Sequence, residues 1–164
     1  MKTLLVVRHA KSDWGHPGLD DHDRPLNDRG LRDAPRMGER LAARGLVPDV
    51  IRSSTALRAR TTAALLAEAL GRDPGSVELD ASMYATGAAH LLEVIRGLDD
   101  AAGTAMLVGH NPESSALVVR LTGEFAELPT CAVAEIRLPV DHWADASADA
   151  AELVRVDTPK DGTR

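Results

Sequence analysis

Aromatic residues are scarce: two tryptophans, one tyrosine and one phenylalanine make up 2% of the 164 residues. So few rings leave little on which bases or sugars could stack. A basic face is missing too, because the net charge is −6, and a general nucleic-acid binder would need one. An anionic ligand would require a pocket that is locally positive against this acidic background. Cys131 is the only cysteine, so no internal disulfide can form, which agrees with a reducing compartment. No apolar run is long enough to span a bilayer, and Lys2 precedes only a short strand-like segment rather than the core of a signal peptide. A cytoplasmic protein with neither nucleic-acid nor membrane partners is expected. Repeats and Gly/Ser-rich linkers are absent, so the chain is read as one domain over 1–156 with a polar tail at 157–164.

What is present is a soluble globular composition, 44% hydrophobic and 27% charged. Thr3 to Val7 is a continuous apolar run with the signature of a buried parallel strand. After a Gly/Pro/Asp-rich loop from Lys11 to Leu26, Leu31, Ala34, Met37 and Leu41 recur at helical spacing, with Gly45 just past the end. Pro35 either kinks that helix or marks its start, with Asp33 near the cap. Val50-Ile51 forms a second strand closed by Ser53 and Ser54, whose hydroxyls suit the cap of a helix from Ala56 to Leu70. Val77 to Leu79 reads as a third strand, and Leu91, Leu92, Ile95 and Leu98 mark an amphipathic helix. Ala105 to Val108 is another buried strand. It leads into Asn111 as a helix cap, Pro112 at the first helical position and Glu113 complementing the dipole. "CAVAEIRL" alternates like a half-exposed strand and includes Cys131, and Ala151 to Val156 suits a last one. Strands alternating with helices predict a three-layer α/β/α domain around a mainly parallel sheet.

Three segments share one layout of strand, polar residues, then helix: Arg8-His9, Ser53 to Thr62, and Gly109-His110-Asn111. Ligands of open α/β sheets bind beyond the carboxyl ends of the strands, so Arg8, His9, Arg58 and His110 are expected to converge there. Such a set suits a phosphoryl group. Two guanidinium forks match its oxygens, a second histidine adds a hydrogen bond, and a neutral first histidine can attack phosphorus. Backbone amides around the Pro112 helix start are expected to face the anion. Asn111, Ser12 and Lys11 border the site. Arg52 and Arg60 read as surface residues. "DDHD" at Asp20 to Asp23 lacks the ligand spacing of a hard metal site and is read as a solvated loop. His16, His22, His90 and His142 have no partners suggestive of zinc, and no metal or cofactor is expected.

In order along the chain, "RHA" at Arg8 to Ala10, "STALRARTT" at Ser54 to Thr62 and "GHNP" at Gly109 to Pro112 resemble the motifs of the histidine phosphatase superfamily, the phosphoglycerate-mutase-like fold. "RPLNDRG" at Arg24 to Gly30 and "LPTCAV" at Leu128 to Val133 are similar to its small SixA-like phosphohistidine phosphatase branch. The resemblance implies that His9 is the phosphorylated nucleophile, that Arg8, Arg58 and His110 bind the phosphoryl group, and that phosphohistidine on a protein is the substrate. A small-molecule phosphomonoesterase and a non-catalytic phosphate-binding module are the alternatives. Two departures stand out. Ala10 replaces the usual glycine, which leaves the backbone less room near the phosphate. The insertion that supplies a carboxylate acid and a lid in larger relatives is missing.

Overall fold

The structure, a computed structural model, describes residues 1–162. Its strands are β1 (Lys2–Arg8), β2 (Val50–Ser54), β3 (Glu78–Asp80), β4 (Thr104–Gly109), β5 (Val133–Leu138) and β6 (Glu152–Asp157). Its helices are α1 (Asp28–Ala43), α2 (Leu57–Ala69), α3 (Ala88–Arg96) and α4 (Glu113–Thr122). The strands form one sheet in the order β3-β2-β4-β1-β5-β6. The first four are mutually parallel, and β5 runs antiparallel to both β1 and β6. The mainly parallel three-layer sandwich predicted from the sequence is therefore present.

Alternation along β1 divides the core. Leu4 and Val6 pack with Ala105, Leu107, Leu92, Ile95, Leu117 and Leu121 on the α3/α4 face. Leu5 and Val7 pack with Met106, Val108, Met37, Leu41, Ala63 and Leu66 on the α1/α2 face. Because both faces are covered, central strands read as unbroken apolar runs. No described helix is long and apolar enough to cross a membrane.

Several local expectations need correction. Helix α1 starts at Asp28 with Asn27 as its cap, whose side chain accepts from the Gly30 amide at 2.9 Å. Pro35 and Asp33 therefore lie inside the helix, and Leu31 is exposed. The inward position in that first turn belongs to Gly30, because a Cβ there would meet the Lys11 carbonyl oxygen at 2.2 Å. Ser53 and Ser54 belong to β2, and Ala56 caps α2 without a side-chain bond. Pro112, not Asn111, occupies the α4 cap position and follows a cis peptide bond. The polar tail begins later than residue 157. Asp157 ends β6 buried and paired with Arg44 and Arg155, Arg40 donates to the Thr158 carbonyl at 2.7 Å, and Pro159–Gly162 turns against α1. Thr163 and Arg164 lie outside the described residues.

Candidate active site

Strand register creates the site. Arg8 stands level with Gly109 across the β1–β4 pair, and the His9 amide donates to the Gly109 carbonyl at 2.9 Å. His9 and His110 thus leave adjacent strands at the same height, with ring centroids 5.2 Å apart. His9 is 8% exposed, and its Nδ1 lies 2.7 Å from the Ala10 carbonyl oxygen. A carbonyl can only accept, so Nδ1 carries the proton and Nε2 keeps its lone pair. Burial drives the His9 pKa down. The Ala10 carbonyl opposes that shift, and His110, Arg58 and Arg8 add to it, for a final value of about 3. His9 is therefore a neutral imidazole at pH 7 whose Nε2 lone pair is unprotonated.

His110 is held by Ser54. Its Nε2 lies 2.8 Å from Ser54 Oγ, which already accepts from the Ala56 amide at 3.2 Å. With the Ser54 hydroxyl proton pointing at Nε2, the ring proton sits on Nδ1. That Nδ1 is buried and has no partner. Burial, followed by the Arg58 charge, lowers the His110 pKa to about 4, so it too is neutral and donates one hydrogen bond. Ser54 thus works as an orienting residue where the sequence suggested a helix cap.

Arg8 and Arg58 are both present, but Arg58 is not the free fork that was expected. Its Nη1 donates to the Asp21 carbonyl at 2.6 Å and its Nη2 to Asp21 Oδ2 at 2.8 Å. Asp21 also accepts from Tyr84 at 2.7 Å and from Arg24 at 3.0 Å. Burial raises the Asp21 carboxyl, but the bonds from Tyr84, Arg58 and Arg24 outweigh it and hold the group far below the usual carboxylate range. The "DDHD" stretch is solvent-facing, as expected, with no buried residue, but Asp21–Asp23 forms a 3-10 turn from which Asp21 alone clasps Arg58. Arg8 donates from Nη1 to the Leu128 carbonyl at 2.9 Å. The Nε atoms of Arg8 and Arg58 share with His110 Nδ1 the property of being buried donors without an acceptor.

Arg8, His9, Lys11, Ser12, Trp14, Arg24, Arg58, His110, Asn111 and Thr130 line a cleft of about 230 Å³. Four of them are cationic and none is a carboxylate, the local positive lining that an anion needs on an acidic chain. Ala10 is absent from that lining. Its methyl is fully buried in the α1/α2 core and its amide donates to Thr62 Oγ1 at 2.9 Å, so it takes no space from the cleft. Asn111 lines the cleft but spends its amide group on structure, donating to the Leu128 carbonyl at 3.1 Å and accepting from Ser115. The expected anion-facing amides are partly committed: Ser114 N–H donates to His110 O at 2.8 Å and Ser115 N–H to Asn111 Oδ1 at 3.3 Å. Cys131 precedes β5 instead of lying in it, is fully buried, and has φ of 64°. Its amide reaches the Arg8 and His9 carbonyls, each at 3.0 Å, while burial pushes its thiol up to about 12. Among the described residues no group of three His, Cys, Asp or Glu side chains could hold a metal ion.

The sequence reading missed Tyr84, Arg24, Trp14, Ser54 and the pairing of Asp21 with Arg58. Only Arg24 and Ser54 carried a signal, since each begins a quoted motif. Tyr84 lies 63 positions from Asp21 and had none.

The profile of the histidine phosphatase superfamily (branch 1) matches residues 4–83. An uncharacterised Mycobacterium tuberculosis protein is 34% identical over 94% of this chain and the whole of its own. Among solved structures, the Agrobacterium tumefaciens protein assigned as phosphohistidine phosphatase SixA superposes with a TM-score of 0.81 at 30% identity, covering 96% of this chain and 98% of that one. A Nakamurella multipartitia protein with the same assignment gives 0.81 at 28% identity, covering 96% of each chain. With the paired histidines, the cation lining and these likenesses in agreement, the chain belongs to the histidine phosphatase superfamily, in its SixA-like branch.

Proposed function

We propose that this hydrolase is a metal-independent phosphatase that forms a phosphohistidine intermediate on His9, and that its substrate is phosphohistidine carried on a protein. One observation carries the reading: a neutral His9 with a free Nε2 shares a cation-lined cleft with three buried nitrogen donors lacking acceptors. Each unpaired donor costs about 1–3 kcal/mol, a cost removed when a phosphoryl oxygen accepts from it. His9 Nε2 attacks phosphorus, the bond to the leaving group breaks, and the ring's new positive charge is shared with the Ala10 carbonyl through Nδ1–H. Water then attacks the phosphohistidine, inorganic phosphate leaves, and His9 returns to its neutral form.

The leaving group follows from the lining. An alkoxide needs a proton delivered as its bond breaks, and the cleft offers no carboxylic acid, while Asp21 is held ionised. Imidazole is far less basic and can be protonated from solvent beforehand. Mixing with labelled phosphohistidine peptide should trap an acid-labile phosphoenzyme that His9→Ala cannot form, and equal labelling of the variant would defeat the mechanism. Phosphohistidine should exceed phosphoserine and alkyl phosphates in kcat/KM by at least about a hundredfold. A preference for sugar phosphates or nucleotides would overturn the substrate assignment.

A further inference from the structure

The chain's two tryptophans have opposite fates. Trp143 is fully buried, with its Nε1 donating to the Ala102 carbonyl at 2.8 Å. Trp14 is 74% exposed and yet lines the candidate cleft. Exposure of a large ring is common at mobile loop tips, but Trp14 sits on a fastened segment. The Asp13 amide donates to the Pro25 carbonyl at 2.8 Å, the Asn27 amide to the Lys11 carbonyl at 3.0 Å, and Ser12 bridges to Leu26.

Arg24 fixes the ring's orientation. Its Cζ lies 3.4 Å from the Trp14 ring centroid, a stacked cation–π contact. Arg24 is itself buried and anchored, donating from Nε to Asp21 Oδ1 at 3.0 Å and from Nη1 to Ser12 Oγ at 2.7 Å. One face of the indole is thus backed by a guanidinium that cannot move away. With that face covered, the residue's 74% exposure leaves the opposite face as the one open to a ligand. A pre-oriented aromatic face beside a phosphoryl site suits a flat ring attached to the phosphoryl group, because stacking requires a planar partner. A serine or sugar carbon offers no such plane.

We infer that Trp14, backed by Arg24, is a specificity-determining residue whose open face stacks on the imidazole of a phosphohistidine side chain while the phosphoryl group lies over His9. The inference rests on the function proposed above and adds the residue that reads the leaving group. Phosphoramidate separates the two, since it carries the same phosphorus–nitrogen bond without a ring. In Trp14→Ala, kcat/KM for a phosphohistidine peptide should fall about tenfold or more, mainly through KM, the size expected for one lost ring stack. Phosphoramidate hydrolysis should stay within about twofold, since its reaction needs only the phosphoryl site. Trp14→Phe should restore most of the loss, because it keeps a planar ring.

Equal losses on both substrates in Trp14→Ala, or no loss on either, would overturn the stacking role while leaving phosphatase function intact. A wild-type protein that hydrolyses neither compound and leaves His9 unlabelled would instead overturn the proposed function, and the stacking role with it. A nucleotide cleaved faster than phosphohistidine, with the same dependence on Trp14, would keep the platform and overturn the imidazole.

Discussion

Which nitrogen of His9 carries the proton, and at what pH a second one binds, decides how this site can react. With its pKa drawn down to about 3, His9 stays neutral where an ordinary histidine near 6.5 would be mostly protonated. Phosphoenzyme formation in a single turnover should therefore not fall from pH 7.5 to pH 5.5, and protonation of the leaving imidazole by solvent would act only to raise it. An ordinary histidine would lose about tenfold across that span, and a loss centred near 6.5 would contradict the buried neutral ring. Arg58 permits a second test. Arg58→Ala should reduce kcat/KM by about 3 kcal/mol of barrier or more, because it removes a buried charge from the cleft proposed to hold the phosphoryl group. Arg60, exposed on the other side of α2, should cost little when changed in the same way. Comparable losses at both would place the wrong arginine in the cleft. His9, Arg8 and His110 were legible because each directly continues a buried strand. Asp21 and Tyr84 were not, since their bond joins two loops distant in sequence, and only folding reveals that Arg58 is clasped rather than free.

Strands were easier to read than helix ends for a reason visible in α1. Apolar runs locate strands directly, whereas the first turn of α1 is set by tertiary contact: Gly30 lets the helix pass against the Lys11 backbone, two residues from His9. Gly38 plays the matching role against α2, where an added Cβ would meet the Ala69 Cβ at 2.6 Å and the Leu66 carbonyl oxygen at 3.2 Å. Sequence periodicity marks neither, since a glycine contributes nothing to an apolar stripe. Gly30→Ala and Gly38→Ala should each destabilise the fold by about 1–3 kcal/mol through overpacking, measurable by urea unfolding. Their activities should part. Gly30→Ala displaces the segment carrying Lys11 and Ser12 and should lower kcat/KM beyond its effect on stability. Gly38→Ala should leave turnover of the folded fraction unchanged. Identical activity in the two folded variants would show that the start of α1 does not position the cleft.

For the molecule as a whole, a site built from two buried neutral histidines makes stability depend on pH in a definite direction. Both folded pKa values, about 3 for His9 and about 4 for His110, lie below the unfolded value near 6.5. Between those limits the unfolded chain binds protons that the folded chain refuses, so acid favours unfolding. Stability from these groups is fully present above pH 6.5 and is lost as the pH falls toward 4 and then 3. Each group contributes a slope of about 1.4 kcal/mol per pH unit, so the pair costs about 4 kcal/mol from pH 6.5 to pH 5. That is an upper limit, because water entering the cleft screens part of the charge, yet it is a large share of a typical domain stability of about 5–15 kcal/mol. Asp21 acts in a lower window, since its depressed pKa matters only once the unfolded carboxyl begins to protonate near 4. Urea unfolding at pH 6.5 and pH 5 should thus show a steep loss in the wild type and a much shallower one in a His9→Asn, His110→Asn double variant. Parallel losses in the two proteins would mean that neither histidine is held neutral by the fold, and would remove the electrostatic basis for His9 as a nucleophile in mild acid.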